Sequence, residues 1–123
     1  MSADKKEKIR IFLKEFKKTA TLRGIDFIPR QENQLTMAEL GLTKKNCRDE
    51  IMSLSVNDYC EGPVEDRDKP GHVWIFGRVI EGREIYIKLK LAQVGKESIA
   101  KCLSFHAANF PLCFPLQDNR GGD

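Results

Sequence analysis

Residues 84–91, EIYIKLKL, alternate strictly between aliphatic side chains and side chains with a polar group. This is the period of a β-strand that buries one face. Two further segments, 73–80 and 99–105, are rich in β-branched and aromatic residues, and the connectors around Gly82 and Gly95 are short. Because short connectors join antiparallel neighbours, the second half of the chain predicts a three-stranded antiparallel meander.

The register of the meander decides which side chains share a face, because successive residues of a strand point to opposite sides. If Ile80 pairs with Glu84 and the next turn centres on Gly95, the odd-numbered positions form one apolar face. Its expected members are Val73, Ile75, Val79, Ile85, Ile87, Leu89, Leu91, Ile99, Leu103 and Phe105. The even-numbered positions then form the opposite, polar face.

The first half of the chain has helical periodicity instead. Apolar residues at positions 9, 12, 13, 16 and 20 form the stripe of an amphipathic helix over residues 4–22, with Gly24 as its stop. A short edge strand is expected over residues 25–30, since Pro29 is tolerated only at an edge or an end. Thr36 is expected to cap a short turn over residues 37–40.

A further helix is expected over residues 44–54, capped by Thr43. Ser55 and Asp58 have the spacing of a capping box, which predicts one more helical turn. Residues 61–72, EGPVEDRDKPGH, contain two prolines and two glycines, which predicts a loop.

Helices followed by strands predict an α+β fold, with the N-terminal helices packed on one face of a twisted antiparallel sheet. A chain of 123 residues has room for one such domain. We expect the domain over residues 1–116 and a polar C-terminal tail over residues 117–123.

Composition excludes several classes of protein. With 41% hydrophobic and 32% charged residues the chain is neither disordered nor membrane-embedded, and no apolar stretch approaches the roughly 20 residues that cross a bilayer. The charged start, MSADKKEKIR, is unlike a secretory leader, so we expect a cytoplasmic protein. The cysteines, at positions 47, 60, 102 and 113, form no Cys-x-x-Cys pair, which argues against a zinc site and favours reduced thiols.

The charge is distributed unevenly along the chain. The net charge is +5 over residues 1–30, −4 over residues 31–77 and +3 over residues 78–106. A basic strand region beside an acidic segment focuses charge, which favours a nucleic acid partner. An ordinary solvated surface fits the same composition.

The polar face of the meander carries side chains that suit phosphate chemistry. Four of them are expected to converge on one phosphate and act in catalysis: Arg78, Tyr86, Lys88 and His106. Four others are expected to bind the substrate: Lys90, Trp74, Phe76 and Ser104. RNA cleavage without a metal needs a base for the 2′-hydroxyl, an acid for the leaving 5′-oxygen and cations for the phosphorane. Aromatic side chains can stack an unpaired base.

Plainer interpretations of these residues stay open. Many solvent-facing sheets carry lysine, arginine and tyrosine, and His106 could be a structural histidine near a strand end. His72 should lie at the far end of the polar face, without a catalytic role. The acidic residues of the 58–68 segment match no calcium loop, so a solvated loop, a gate that repels RNA or a contact for a basic partner is expected instead of a metal site.

Five separated blocks of the sequence resemble the MqsR (motility quorum-sensing regulator) family of toxins. The blocks are MAELGL, EIMSLSVNDY, VW, IYIKLKL and CLSFH, in that order and spacing over residues 35–106. The resemblance implies a RelE-like α+β fold and ribosome-independent cleavage of single-stranded messenger RNA, with no metal or other cofactor. It also implies a partner antitoxin, typically a zinc-containing helix-turn-helix protein that binds DNA.

The resemblance places the family's catalytic tyrosine on Tyr86, a lysine on Lys88 and a basic residue on His106. Two positions depart from the family's pattern. Glu61 stands near the place of an active-site lysine, and Ile75 takes the place of a glutamine. The sequence therefore predicts a metal-independent endoribonuclease toxin, and the alternatives are a non-catalytic RNA-binding or antitoxin-binding module and a purely structural domain.

Overall fold

The computed structural model describes the backbone of residues 2–117 and the side chains of residues 4–117. Over this range the order of elements is α1 (Ser2–Arg23), β1 (Ile25–Phe27), α2 (Gln31–Leu40), α3 (Lys44–Met52), β2 (Tyr59–Glu65), β3 (His72–Ile80), β4 (Arg83–Val94) and β5 (Glu97–Ala107). The prediction of an α+β fold is confirmed. No helix in the described range is both long and apolar enough to cross a membrane.

The strands form one sheet in the order β1-β5-β4-β3-β2. The predicted meander of β3, β4 and β5 is confirmed, and β2 adds to it antiparallel. β1 runs parallel to β5, so the sheet is mixed and the prediction of a wholly antiparallel sheet is wrong at this edge. β1 covers part of the β5 edge that the meander leaves unpaired, which satisfies backbone groups there.

The predicted amphipathic helix is confirmed as α1, and its apolar stripe is buried. The buried stripe residues are Ile9, Phe12, Leu13, Phe16 and Ala20, and they pack into one core with Ile85, Ile87, Leu89 and Phe105 of the sheet. Burying a side chain of the size of leucine or phenylalanine contributes about 1.5–3 kcal/mol. Gly24 ends the helix at φ +83°, and its N–H donates to the Ala20 carbonyl over 2.7 Å.

The predicted cap at Thr36 is wrong, because α2 already begins at Gln31. Thr36 is buried, and its hydroxyl accepts the Ala107 N–H over 2.9 Å. One turn earlier, the Asn33 amide accepts the Phe105 N–H over 2.9 Å and donates to the Leu103 carbonyl over 3.1 Å. α2 therefore covers the β5 edge beyond β1, and its polar residues replace a neighbouring strand.

The predicted helix caps at Thr43 and Ser55 are confirmed. The Thr43 hydroxyl accepts the Asn46 N–H over 3.1 Å, and the Asn46 side chain accepts the Thr43 N–H over 2.9 Å. α3 ends at Met52, two residues before the predicted end. The Asp58 carboxylate accepts the Ser55 N–H over 2.8 Å and supports a single 3-10 turn at Val56–Asp58.

The prediction of a loop over residues 61–72 is wrong for its first part, which belongs to β2. β2 is an edge strand, so Pro63 removes no hydrogen bond from the interior of the sheet. The pairing with β3 is irregular on both sides of Glu61. Gly62, at φ +126°, fits this irregular pairing because a Cβ there would lie 3.0 Å from the Trp74 Cα.

The predicted register between β3 and β4 is wrong by one residue. Ile80 pairs with Arg83, across a two-residue turn in which Glu81 and Gly82 have φ values of 53° and 77°. Positive φ at both positions is typical of a type I′ hairpin turn, whose twist matches that of the strands. The one-residue shift reverses the faces of β3, so its even-numbered residues lie on the side of the sheet that the helices cover.

The predicted register between β4 and β5 is wrong by two residues at the C-terminal end of β5. Because the error is an even number of residues, the side chains at this end lie on the faces that were predicted for them. Tyr86 pairs with His106 and Lys88 with Ser104, while Leu89 pairs with Cys102. The extra residue, Leu103, makes a bulge, so Cys102 lies in the core and Ser104 on the polar face. The Asn33 contacts described above satisfy the carbonyl of the bulge residue Leu103 and the N–H of Phe105.

The described chain continues beyond β5 as far as Gln117. Leu116 packs against the core, within the predicted domain of residues 1–116. Of the predicted polar tail, residues 118–123 lie outside the described residues.

A cleft on the polar face as the candidate functional site

Two adjoining hollows lie on the sheet face that is opposite to α1, and both are lined by Arg30, Tyr86 and Lys88. The larger, about 650 Å³, has a wall of carboxylates and is called the acidic hollow. Its carboxylates are Glu61, Glu65, Asp66 and Asp68. The smaller, about 400 Å³, is lined by Ser104, His106 and residues 108–112 and is called the histidine hollow. The two together are called the cleft.

Tyr86 and His106 are direct cross-strand neighbours at the boundary of the two hollows. Their ring centroids are 5.3 Å apart and the ring planes meet at 24°. His106 is buried, and its Nδ1 lies 2.9 Å from the Ala107 carbonyl oxygen. A carbonyl oxygen only accepts, so Nδ1 carries a proton and the neutral ring has its lone pair on Nε2.

The Tyr86 hydroxyl is suited to donate a hydrogen bond. Burial raises the pKa of the Tyr86 phenol, the negative charge of Glu61 raises it further, and Arg30 acts in the opposite direction. The phenol therefore stays protonated at neutral pH. It can act as an acid or a hydrogen-bond donor toward a phosphate, and it is poorly suited to act as a base.

Two cationic side chains lie next to this pair. Lys88 Nζ is 5.9 Å from the centre of the Tyr86 ring, and Lys88 pairs across the strands with Ser104. Arg30 Nη1 is 3.5 Å from the Ser104 hydroxyl, and the Arg30 side chain is exposed. Both cations can reach an anion in the cleft without crossing the sheet.

Arg30 is the site residue that sequence reasoning missed. It follows Pro29 and immediately precedes α2, 56 residues before Tyr86 in the chain. No local pattern links the two positions, because they meet only through the parallel pairing of β1 with β5. The edge strand was predicted, but its partner and direction were not.

Arg78, predicted to act beside Tyr86, lies on the other face of the sheet. The position opposite Tyr86 on β3 is Gly77. The Arg78 guanidinium is 3.1 Å from Glu50 and 2.9 Å from Asp58, and it also donates to the Ser53 hydroxyl over 2.8 Å. Arg78 therefore joins α3, the 3-10 turn and β3, and it contributes no charge to the cleft.

Trp74 and Phe76, predicted to stack bases, also turn toward α1. Trp74 stacks on Phe12 with 4.8 Å between ring centroids, and Phe76 is fully buried in the core. The one-residue shift of β3 places both rings there, and neither lines the cleft.

Lys90, predicted to bind RNA, lies on the polar face but is buried. Its Nζ is 2.6 Å from the Asp66 carboxylate and 2.8 Å from the Pro70 carbonyl oxygen. The hydrogen bond from Lys90 lowers the pKa of Asp66 to about 2, and the Asp68 N–H lowers it as well. Lys90 thus holds the β2–β3 loop, and its charge is already neutralised.

The two departures from the family's pattern both line the acidic hollow. Glu61 is exposed at its wall, and Ile75 is buried beside Val73 on the same side of β3. His72 is exposed at the start of β3, opposite Glu65 and outside both hollows. Of the predicted site residues, the fold thus brings four together, which are Tyr86, Lys88, Ser104 and His106.

The cleft combines an imidazole whose Nε2 can accept a proton, a phenol that can donate one and two basic side chains, Lys88 and Arg30. Such a set can move protons to and from a phosphate ester and stabilise added negative charge. No three His, Cys, Asp or Glu side chains among residues 4–117 gather in a way that could hold a metal ion. No family model, no curated protein and no solved structure matches this chain.

Proposed function

We propose that the chain is an endoribonuclease that cleaves single-stranded RNA by acid–base chemistry of its own side chains. The observation that carries the proposal is the Tyr86–His106 pair at 5.3 Å, with Lys88 beside the Tyr86 ring in one open cleft. Arg30 takes the role that was predicted for Arg78. These groups supply the base, the acid and the cations that cleavage requires.

In the proposed reaction the 2′-oxygen of a ribose attacks the adjacent phosphorus. The Nε2 atom of His106 takes the 2′-hydroxyl proton as the new P–O bond forms. The bond between phosphorus and the 5′-oxygen breaks, and Tyr86 donates its phenolic proton to that oxygen. Lys88 and Arg30 stabilise the dianionic phosphorane. The products are a 2′,3′-cyclic phosphate and a 5′-hydroxyl, and proton exchange with water restores both side chains.

The resemblance to the MqsR family supports the same assignment. The positions it implies for the tyrosine, the lysine and the basic residue are Tyr86, Lys88 and His106, and all three line the histidine hollow. The RelE-like arrangement, the cytoplasmic location and the role as a toxin restrained by a zinc-containing helix-turn-helix antitoxin belong to this proposal.

A second candidate function is a non-catalytic binding module, and the acidic hollow favours it. Four carboxylates line this hollow, and one of them, Asp66, is paired with Lys90. The other three, at positions 61, 65 and 68, suit a basic peptide, such as a segment of an antitoxin, although Arg67 lies in the same lining.

Cleavage of a labelled single-stranded RNA in excess EDTA separates the two candidates. An endoribonuclease yields new internal ends with 5′-hydroxyls, whereas a binding module yields none. Tyr86→Phe should slow cleavage by roughly 10²-fold, because it removes the donated proton, and should leave RNA affinity nearly unchanged. An equal rate for Tyr86→Phe, or a loss of cleavage on chelation that Mg²⁺ restores, would contradict the mechanism.

A further inference from the structure

Phe110 is an exposed aromatic ring at the rim of the histidine hollow. Its side chain is 81% exposed, more than the other large apolar residues that are exposed among the described residues. Single exposed apolar side chains are common on proteins and need no explanation in themselves. Phe110 differs because the backbone on both sides of it is fixed to the sheet.

The two fixed points belong to one residue, Glu84 of β4. The Ala108 N–H donates to the Glu84 carbonyl oxygen over 2.9 Å, and the Leu112 N–H donates to Glu84 Oε1 over 3.0 Å. Pro111, between them, fixes its own φ angle. The segment 108–112 is therefore a short bridge held at both ends, and ordering its backbone on binding costs little further entropy.

A second contact holds the chain that follows the bridge. The side chains of Leu112 and Phe114 lie over Gly77, the β3 residue opposite Tyr86. A Cβ at Gly77 would lie 2.6 Å from Leu112 Cδ1 and 2.9 Å from Phe114, so a larger residue there would displace these side chains. The bridge is thus positioned on the same sheet face as the catalytic pair.

We propose that Phe110 is a stacking platform for an unpaired nucleobase whose phosphate lies at Lys88 and Arg30. This inference rests on the proposed function and names a base-binding subsite of the same cleft. A nucleotide joins an anion to a flat aromatic surface, and the histidine hollow is lined by two basic side chains, Arg30 and Lys88, one carboxylate, Glu32, and the Phe110 ring. The Asn109 amide, next to Phe110 in the lining, can donate to and accept from a base edge.

The test uses the full chain and a single-stranded oligonucleotide with 2′-O-methyl riboses, which lacks the attacking hydroxyl and is not cleaved. The oligonucleotide carries one 2-aminopurine, whose fluorescence falls when the base stacks. Affinity is measured by fluorescence anisotropy for the parent chain, Phe110→Ala and Phe110→Tyr. Leu22→Ala is the matched control, because Leu22 is 74% exposed and lies on α1, away from the cleft.

Phe110→Ala should weaken binding by about 10-fold and abolish the quenching, within the range for losing one stacked base. Phe110→Tyr should retain both, and Leu22→Ala should bind like the parent. Equal affinity of Phe110→Ala and the parent overturns the proposal, as does a failure of the parent to bind the oligonucleotide.

The measurements distinguish a failure of the proposed base-binding subsite from a failure of the proposed catalysis. If the parent cleaves ordinary RNA while Phe110→Ala binds and cleaves equally well, the platform is wrong and the proposed function stands. If Phe110→Ala loses affinity and quenching while the parent leaves ordinary RNA intact, the platform stands and the proposed catalysis is wrong.

Discussion

Tyr86 and His106 face each other across β4 and β5, with 5.3 Å between their ring centroids and 24° between their planes. The bulge at Leu103 fixes this relationship, because a one-residue change in β5 beyond it would turn His106 toward α1. Asn33 binds the backbone of Leu103 and Phe105, on the two sides of Ser104. The candidate site thus depends on an asparagine of α2 that does not line the cleft.

The first prediction compares the two histidines. His106→Ala should abolish most RNA cleavage, because it removes the proposed base, and His72→Ala should leave the rate nearly unchanged. His72 lies five residues along β3 from Gly77, which pairs with Tyr86, and five residues span about 17 Å. Initial cleavage rates of both variants provide the measurement, with circular dichroism to verify folding. Equal losses from the two substitutions would rule out the assignment of His106.

The second prediction concerns the salt dependence of RNA binding. Lys88→Ala and Arg30→Ala should each reduce the log–log slope of affinity against salt by about 0.7 per lost phosphate contact on a single strand. Lys90→Met is the matched control, since Lys90 is buried and paired with Asp66. Binding isotherms of a non-cleavable RNA at several salt concentrations give the slopes. A flatter slope for Lys90→Met together with unchanged slopes for the other two would place the RNA elsewhere.

The sequence predicts which residues of β4 face the core, but it does not predict which residues of β3 do. Residues 84–91 alternate, so only one register buries the aliphatic side chains at 85, 87 and 89. In β3, Val73 and Ile75 on one face and Phe76 on the other are all buried. Hydrophobicity therefore did not distinguish the faces of β3, and the two-residue turn at Glu81 decided the register.

Contacts between strands that are far apart in the sequence were the other feature that could not be predicted. The helix α1, the caps at Thr43 and Ser55 and the meander rest on neighbouring residues, and their prediction is confirmed. The strand at residues 59–65 forms although it contains Pro63, because the edge of β3 offers a partner that no local pattern reveals. The predicted site keeps Tyr86 and Lys88 of β4 and Ser104 and His106 of β5, and it loses Lys90 and the residues of β3.

The third prediction separates stability from activity at Arg78. Arg78→Met should lower the free energy of unfolding by about 1–3 kcal/mol, because it leaves Glu50 and Asp58 without their shared partner. At a temperature where the variant is folded, cleavage per folded molecule should not change. Arg83→Met is the control, since Arg83 and Glu39 form an exposed pair that should contribute under about 1 kcal/mol. Urea denaturation and cleavage rates are measured on the same samples. A loss of cleavage without a loss of stability would contradict this prediction and indicate that Arg78 acts in cleavage.

The last prediction concerns how the stability contributed by the ion pair of Lys90 and Asp66 depends on pH. The pKa of Asp66 is about 2 in the folded chain against an ordinary 3.8, so the folded state favours the ionised carboxylate. Its contribution to stability is therefore complete above pH 3.8 and is lost as the pH falls through 2. Lys90→Met should cost about 1–2 kcal/mol at pH 6, because it removes a buried hydrogen bond to a charged group.

This difference between the parent and Lys90→Met should shrink as the pH falls from 4 to 2, since protonated Asp66 no longer attracts Lys90. Guanidinium denaturation at intervals from pH 6 to pH 2 measures it, and subtracting the variant's curve from the parent's removes the effect of other carboxylates. The exposed pair of Arg23 and Glu97 is the matched control, because solvent screens it, and Arg23→Met should change stability little over the same range. A difference for Lys90→Met that stays constant down to pH 2 would mean that Lys90 acts through the Pro70 carbonyl and its packing, and not through the charge of Asp66.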